Sequence, residues 1–292
     1  MGSGSWNHSD FLGYSRSVGK SVSADTGRVV SGQVFESTRI NEALNPRNFE
    51  IRECVNSDEH PNTIPIILAL DVTGSMGKSC QETAEALGVI MTDLYKKYKD
   101  IEFCVMGIGD LAYDEAPIQM SQFESDIRIA EALDKIYMEH GGGGNAFESY
   151  TAAWYMGLKK TKLDCFDKQN RKGIIITMGD EPMNPYLPKN ALNFAANVHE
   201  QGDIETENLW EEAVKKFNIF HIAVEDSGNS CSYYKGRIKE SFGQLMGDRL
   251  IFSSINDLAM NITKCIDISL QDTPVESESQ QAMVNENGEI QW

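Results

Sequence analysis

The chain has no apolar run near the roughly 20 residues that a membrane-spanning helix needs; the stretch Ile66 to Leu70 has only five. Its N-terminus, Met1-Gly2-Ser3-Gly4-Ser5-Trp6, lacks the basic and apolar regions of a secretory leader. It also fails the myristoylation pattern, because Trp6 stands where Ser or Thr is required. Cysteine pairs are missing too. Cys54, Cys80, Cys104, Cys165, Cys231 and Cys265 are scattered, with no Cys-x-x-Cys. That pattern points to free thiols in a reducing compartment, hence a cytoplasmic protein. The five histidines show no His-x-x-x-His spacing, which argues against zinc. Basic residues are few: 26 Lys and Arg against 44 Asp and Glu give a net charge of −18. This balance argues against direct binding to nucleic acid or an anionic membrane surface. It suits a soluble protein that attracts metal ions or a basic partner, although solubility alone would account for it.

A length of 292 residues with 41% hydrophobic residues supports one sizeable core. Residues 1–60 read as an N-terminal extension, partly flexible, with a strap or edge strand at 49–55. Trp6, Phe11 and Tyr14 are spaced aromatics that could dock on the main body. Residues 61–270 alternate strands and helices. Strands are expected at 64–71, 101–109, 118–123, 173–177, 219–224 and 249–252. Helices are expected at 76–99, 124–139, 146–160, 189–199, 209–217, 233–246 and 255–269. Such alternation gives an α/β fold with a mostly parallel central sheet flanked by helices and one short antiparallel edge strand near 118–123. Residues 271–292 carry five acids and no Lys or Arg, and are expected to be a disordered acidic tail.

The chemistry concentrates where the first buried strand ends, at Asp71-Val72-Thr73-Gly74-Ser75-Met76. One carboxylate and two hydroxyls fall within five residues at the carboxyl end of a parallel strand, where open α/β sheets bind ligands. These hard oxygen donors suit Mg²⁺, Mn²⁺ or Ca²⁺. A simpler local account is that Ser75 caps the following helix while Asp71 receives amide hydrogen bonds in the turn.

This stretch resembles the metal-ion-dependent adhesion site of von Willebrand factor A (vWA) domains, whose first loop reads Asp-x-Ser/Thr-x-Ser. Gly141-Gly142-Gly143-Gly144-Asn145 is similar to the second loop of such sites. Ile174-Ile175-Ile176-Thr177-Met178-Gly179-Asp180 is similar to the third. The resemblance covers roughly residues 60 to 270 and implies a Rossmann-like vWA fold. It implies metal ligation by Asp71, Thr73, Ser75, Asn145 and Asp180. Asn145 departs from the family's Thr, and Glu148 is a further candidate in the first turn of the helix expected after it. Asp110, at the end of another strand, reads rather as an exposed loop carboxylate. The resemblance also implies a non-enzymatic module that captures an acidic residue of a protein partner. With no leader and no paired cysteines, the chain is similar to intracellular prokaryotic and phage vWA proteins, which often work beside an ATPase or in multiprotein assemblies.

Two rival readings remain. Residues 72–79 nearly match the phosphate loop Gly-x-x-x-x-Gly-Lys-Ser/Thr, with 174–181 as an acidic strand, which would make a nucleotide hydrolase. Val72 replaces the first glycine of that pattern, and Lys78 separates the two accounts. Alternatively, the chain is a metal-free structural scaffold. The sequence is silent on oligomeric state.

Overall fold

The computed structural model describes residues 4–23, 25–32, 34–139, 144–226 and 228–271, and a short backbone pairing of Met283–Val284 with Ile290–Gln291. Otherwise the acidic tail, and Gly141–Gly143 of the glycine run, lie outside the described residues.

The central sheet is built from β1 (Ile64–Asp71), β2 (Ile101–Ile108), β3 (Ile118–Met120), β4 (Gly173–Gly179), β5 (Phe217–Glu225) and β6 (Leu250–Ser254). Their order across the sheet is β6-β5-β4-β1-β2-β3. All neighbours are parallel except β2 with β3, the expected antiparallel edge. The strands β1, β2 and β4 are buried over almost every residue because both faces of the sheet are covered.

The helices are α1 (His8–Ser17), α2 (Gly77–Lys97), α3 (Arg128–Asp134), α4 (Thr151–Lys159), α5 (Thr206–Lys216), α6 (Cys231–Met246) and α7 (Leu258–Gln271), with further short helices at Asp164–Asp167 and Lys189–Ala196. The pleat divides the apolar residues between two cores. Ile66, Leu68 and Leu70 pack with α2, α3 and α7, whereas Ile67 and Ala69 pack with α4, α5 and α6. This is the Rossmann-like α/β architecture that the vWA resemblance implies. None of the described helices is long and apolar enough to cross a membrane.

Two expectations are corrected, and one alternative is resolved. The helix expected over 124–139 covers only Arg128–Asp134. Glu124 exchanges both backbone hydrogen bonds with Phe103 at the sheet edge, and Asp126 accepts from the Arg128 amide, so the helix cannot begin earlier. The helix expected from Ala146 begins at Thr151, leaving Glu148 in extended chain bridged to Met183. The segment at 49–55 forms a strap: Arg52–Cys54 pairs in parallel with Thr161–Leu163, apart from the central sheet.

The described part of the N-terminal segment is docked. Phe11 is buried, and Trp6 is buried with its indole N–H donating to the Thr92 hydroxyl. Tyr14 and Lys20 both engage Asp134. An added Cβ on Gly88 of α2 would lie 2.3 Å from the Phe11 ring and 2.5 Å from the Gly27 carbonyl oxygen. Only glycine lets the arm approach the helix this closely.

Candidate metal centre

Asp71 ends β1, and Asp180 follows β4, the strand beside it. The chain leaves β1 towards β2 on one side while β4 lies on the other, so the two carboxylates flank the switch point of the sheet. Asp71 is fully buried, and both its carboxylate oxygens are engaged. Oδ1 accepts from the Thr73 amide at 2.9 Å and the Thr73 hydroxyl at 2.6 Å. Oδ2 accepts from the Tyr150 hydroxyl at 2.7 Å. The tight turn follows from the sequence: only Val72 and Thr73 separate the strand from a 3₁₀ turn at Gly74–Met76, which runs directly into α2.

Ser75 donates to Asp180 Oδ1 at 3.0 Å, and its oxygen lies 3.5 Å from the Thr73 hydroxyl oxygen. The other Asp180 oxygen accepts from the Ser230 amide at 2.6 Å. Ser230 is the N-cap residue of α6, so the carboxylate sits at the positive end of a 16-residue helix. The structure thus brings Asp71, Thr73, Ser75 and Asp180 into one hydrogen-bonded group.

Glu148 is also buried, and its Oε2 has no hydrogen-bond partner. Asp71 is the charge that weighs most on it, ahead of Asp114, Glu181 and Asp110. Asn145 is half-buried, and no hydrogen bond among the described residues ties it to the group. An added Cβ on the preceding Gly144 would lie 3.2 Å from the Tyr113 ring.

Burial, and then the charge of Asp180, raises the Asp71 carboxyl above its ordinary value, and the Thr73 and Tyr150 hydrogen bonds oppose that rise. Burial also raises Asp180, against the Ser230 and Ser75 hydrogen bonds. Glu148 is raised by burial and then by Asp71. Glu181 is pushed up to about 7 by burial and by Asp180. Burial is the largest cause of all four shifts, and neighbouring acids add to it at Asp71, Glu148 and Glu181.

The donor set fits a hard divalent cation. The Thr73 and Ser75 hydroxyls direct their protons to carboxylates, which leaves oxygen lone pairs free for an ion. Among the described residues no three His, Cys, Asp or Glu side chains converge to hold an ion by themselves, so the hydroxyls are needed. Among the buried carboxylate oxygens with no hydrogen-bond partner among the described residues are Glu148 Oε2 and Asp110 Oδ2.

Two residues were missed by sequence reasoning, and a third was misread. Tyr150 carries no sequence signal, since an aromatic ahead of a helix ordinarily reads as core. Ser230 could have been found, because it closes a polar turn between a strand and a helix. Asp110 is buried, not an exposed loop acid; one oxygen accepts from the Ala112 amide at 2.8 Å. The loop folds back because the Asp110 amide donates to Asp114 and the Ser149 hydroxyl accepts from the Leu111 amide.

No protein-family profile matches the chain, and no curated protein matches it. Solved structures do. The pilus adhesin SpaC from Lactobacillus rhamnosus GG, in an open conformation, superposes with a TM-score of 0.52 at 13% identity, over 74% of this chain and 31% of the adhesin. The vWF domain of the type V pilus tip protein Mfa5 from Porphyromonas gingivalis aligns at a TM-score of 0.43 and 13% identity, over 73% of this chain and 98% of that one. This chain therefore spans less than a third of the length of the adhesin whose fold it shares. The likeness to the adhesin shows the fold alone, an α/β domain with a mostly parallel six-stranded sheet.

Proposed function

We propose that the domain is a protein-interaction module that presents Mg²⁺, or Mn²⁺ or Ca²⁺ in its place, at the carboxyl edge of its sheet and captures an acidic side chain of a protein partner. The observation that carries this reading is the pairing of Thr73 with Asp71 and of Ser75 with Asp180. Each hydroxyl is oriented by a carboxylate and keeps a lone pair for an ion. Asp71, Thr73 and Ser75 would hold the ion from the first loop. Asp180 would act from the third, where it also fixes Ser75. The second loop offers Asn145 and Glu148. A bound divalent ion would supply a Lewis-acidic position for a carboxylate oxygen from the partner.

A binding role is favoured over nucleotide hydrolysis. Lys78, on which a phosphate loop would depend, is 70% exposed and lies 3.7 Å from Asp226. The two residues between β1 and the 3₁₀ turn leave little chain to wrap phosphates. All six cysteines are buried and free, which supports a reducing compartment such as the cytoplasm. The proteins that the sequence resembles point to a multiprotein, ATPase-linked setting as the place to look for the partner.

The test is selection of peptides on the immobilised full chain in Mg²⁺. Binders should carry an Asp or Glu whose change to Asn or Gln abolishes binding, and should be released by EDTA and ignored by Asp71→Ala. Binders indifferent to EDTA and to Asp71→Ala would favour the metal-free scaffold.

A further inference from the structure

We propose that Glu148, not Asn145, is the second-loop ligand of the ion, so that this site carries an internal carboxylate where vWA-type sites use a neutral hydroxyl. The inference rests on the metal-dependent reading above and specifies its charge.

Three observations converge on Glu148. First, Glu148 is 3% exposed, yet its Oε2 has no hydrogen-bond partner among the described residues. A buried carboxylate without donors is costly unless a proton or a cation neutralises it, and the oxygen donors of the first loop beside it offer a place for a cation. No Lys, Arg or His among the described residues pairs with Glu148. Second, the backbone on either side is pinned to the third loop. The Glu148 amide donates to the Pro182 carbonyl, and the Glu148 carbonyl accepts from the Asn184 amide at 3.2 Å. Two residues on, Tyr150 donates to Asp71. Glu148 is therefore held in register with both carboxylate-bearing loops, which is the preorganisation a ligand needs. Third, the residue that the loop resemblance selects, Asn145, has no such fixing: no hydrogen bond among the described residues links it to either loop.

The consequence concerns charge. With Asp71 and Glu148 both in the shell, two formal negative charges balance the ion before any partner arrives. The chain alone should then retain its ion, and the partner's carboxylate would add to a shell already neutralised. Affinity for hard cations rises with the number of charged ligands.

The experiment is a titration of the full chain with Mn²⁺ alone, followed by the loss of the free-ion electron paramagnetic resonance signal. The wild type is compared with Glu148→Gln, Asn145→Ala and Asp71→Asn, and the unfolding temperature of each metal-free chain is recorded as a folding control. The expected result is saturable binding by the wild type with no partner present. Glu148→Gln should bind at least about tenfold more weakly, Asn145→Ala within about twofold of the wild type, and Asp71→Asn not detectably. Glu148→Gln should also unfold at a temperature close to that of the wild type without metal, since it exchanges a buried carboxyl with an unpartnered oxygen for a neutral amide of the same size. If Glu148→Gln binds like the wild type while Asp71→Asn fails, the assignment of Glu148 is overturned and the metal-dependent reading stands. If Asn145→Ala loses as much as Glu148→Gln, the inference is likewise overturned. If the wild type takes up no ion, the inference and the reading beneath it both fall.

Discussion

The Tyr150 hydroxyl donates to Asp71 Oδ2 at 2.7 Å and accepts from the Glu181 amide at 3.2 Å. One side chain thus joins the end of β1, the start of α4 and the loop after β4. Tyr150 is fully enclosed, with its ring against His221 and Phe242. Replacing it with Phe would keep the packing and leave Asp71 Oδ2 without its donor. Tyr150→Phe should cost about 1–3 kcal/mol of stability. The check is a lower denaturant midpoint at unchanged slope.

Gly179 is the neighbour that makes this contact possible. A Cβ there would lie 2.0 Å from the Tyr150 hydroxyl oxygen. The ring is packed on all sides and cannot simply yield, so Gly179→Ala should destabilise the chain more than Tyr150→Phe does. Chemical denaturation of the two variants side by side checks the order, and a neutral Gly179→Ala would contradict the described packing.

Glu102, at the start of β2, is buried with one carboxylate oxygen unpartnered, and burial pushes it from 4.5 up to about 7. A carboxyl that holds its proton more tightly when folded stabilises the fold at low pH. That contribution is complete below about 4.5 and is lost as pH rises towards about 7. His221, pushed down to about 3 by burial, works in the opposite direction, because the unfolded state takes up the proton first as pH falls below 6.5. The difference between wild type and Glu102→Gln isolates the glutamate. The variant should gain on the wild type by on the order of 2–3 kcal/mol between pH 4.5 and pH 7.5. A difference that does not change with pH would contradict the shift.

The N-terminal arm should be a structural part of the domain. Phe11→Ala removes a buried ring and should cost about 3 kcal/mol. Gly88→Leu should displace the arm without cutting into the sheet. Limited proteolysis should then cleave within residues 4–31 of Gly88→Leu well before the rest of the chain, and at comparable rates across the wild-type chain.

Much of the sheet was legible because its signal is local. Five consecutive apolar residues ending in an aspartate describe β1 whatever surrounds it, and the short alternating segment near Ile118 describes an edge. Helix ends were harder to read. Whether Glu124 continues a helix or pairs with Phe103 depends on a strand 20 residues away, and no window of sequence contains that choice. The site divides in the same way. Asp71, Thr73 and Ser75 lie in one turn and could be read together, and Asp180 ends a recognisable buried strand. Tyr150 and Ser230 act through contacts made between distant loops, so their roles appear only once the sheet has assembled. Glu148 was in view, but the helix pattern placed it one turn too early, and the bridge to Met183 changes what it can reach.

The central claim is that the Asp71 turn binds a divalent ion for its own sake and not as part of a nucleotide site. Calorimetric titration of the full chain with Mg²⁺ and Mn²⁺, beside Asp71→Ala and Lys78→Ala and with ATP as a separate titrant, tests it most directly. The account predicts metal binding without ATP, lost in Asp71→Ala and retained in Lys78→Ala. Binding that requires ATP together with Mg²⁺ and fails in Lys78→Ala would contradict it.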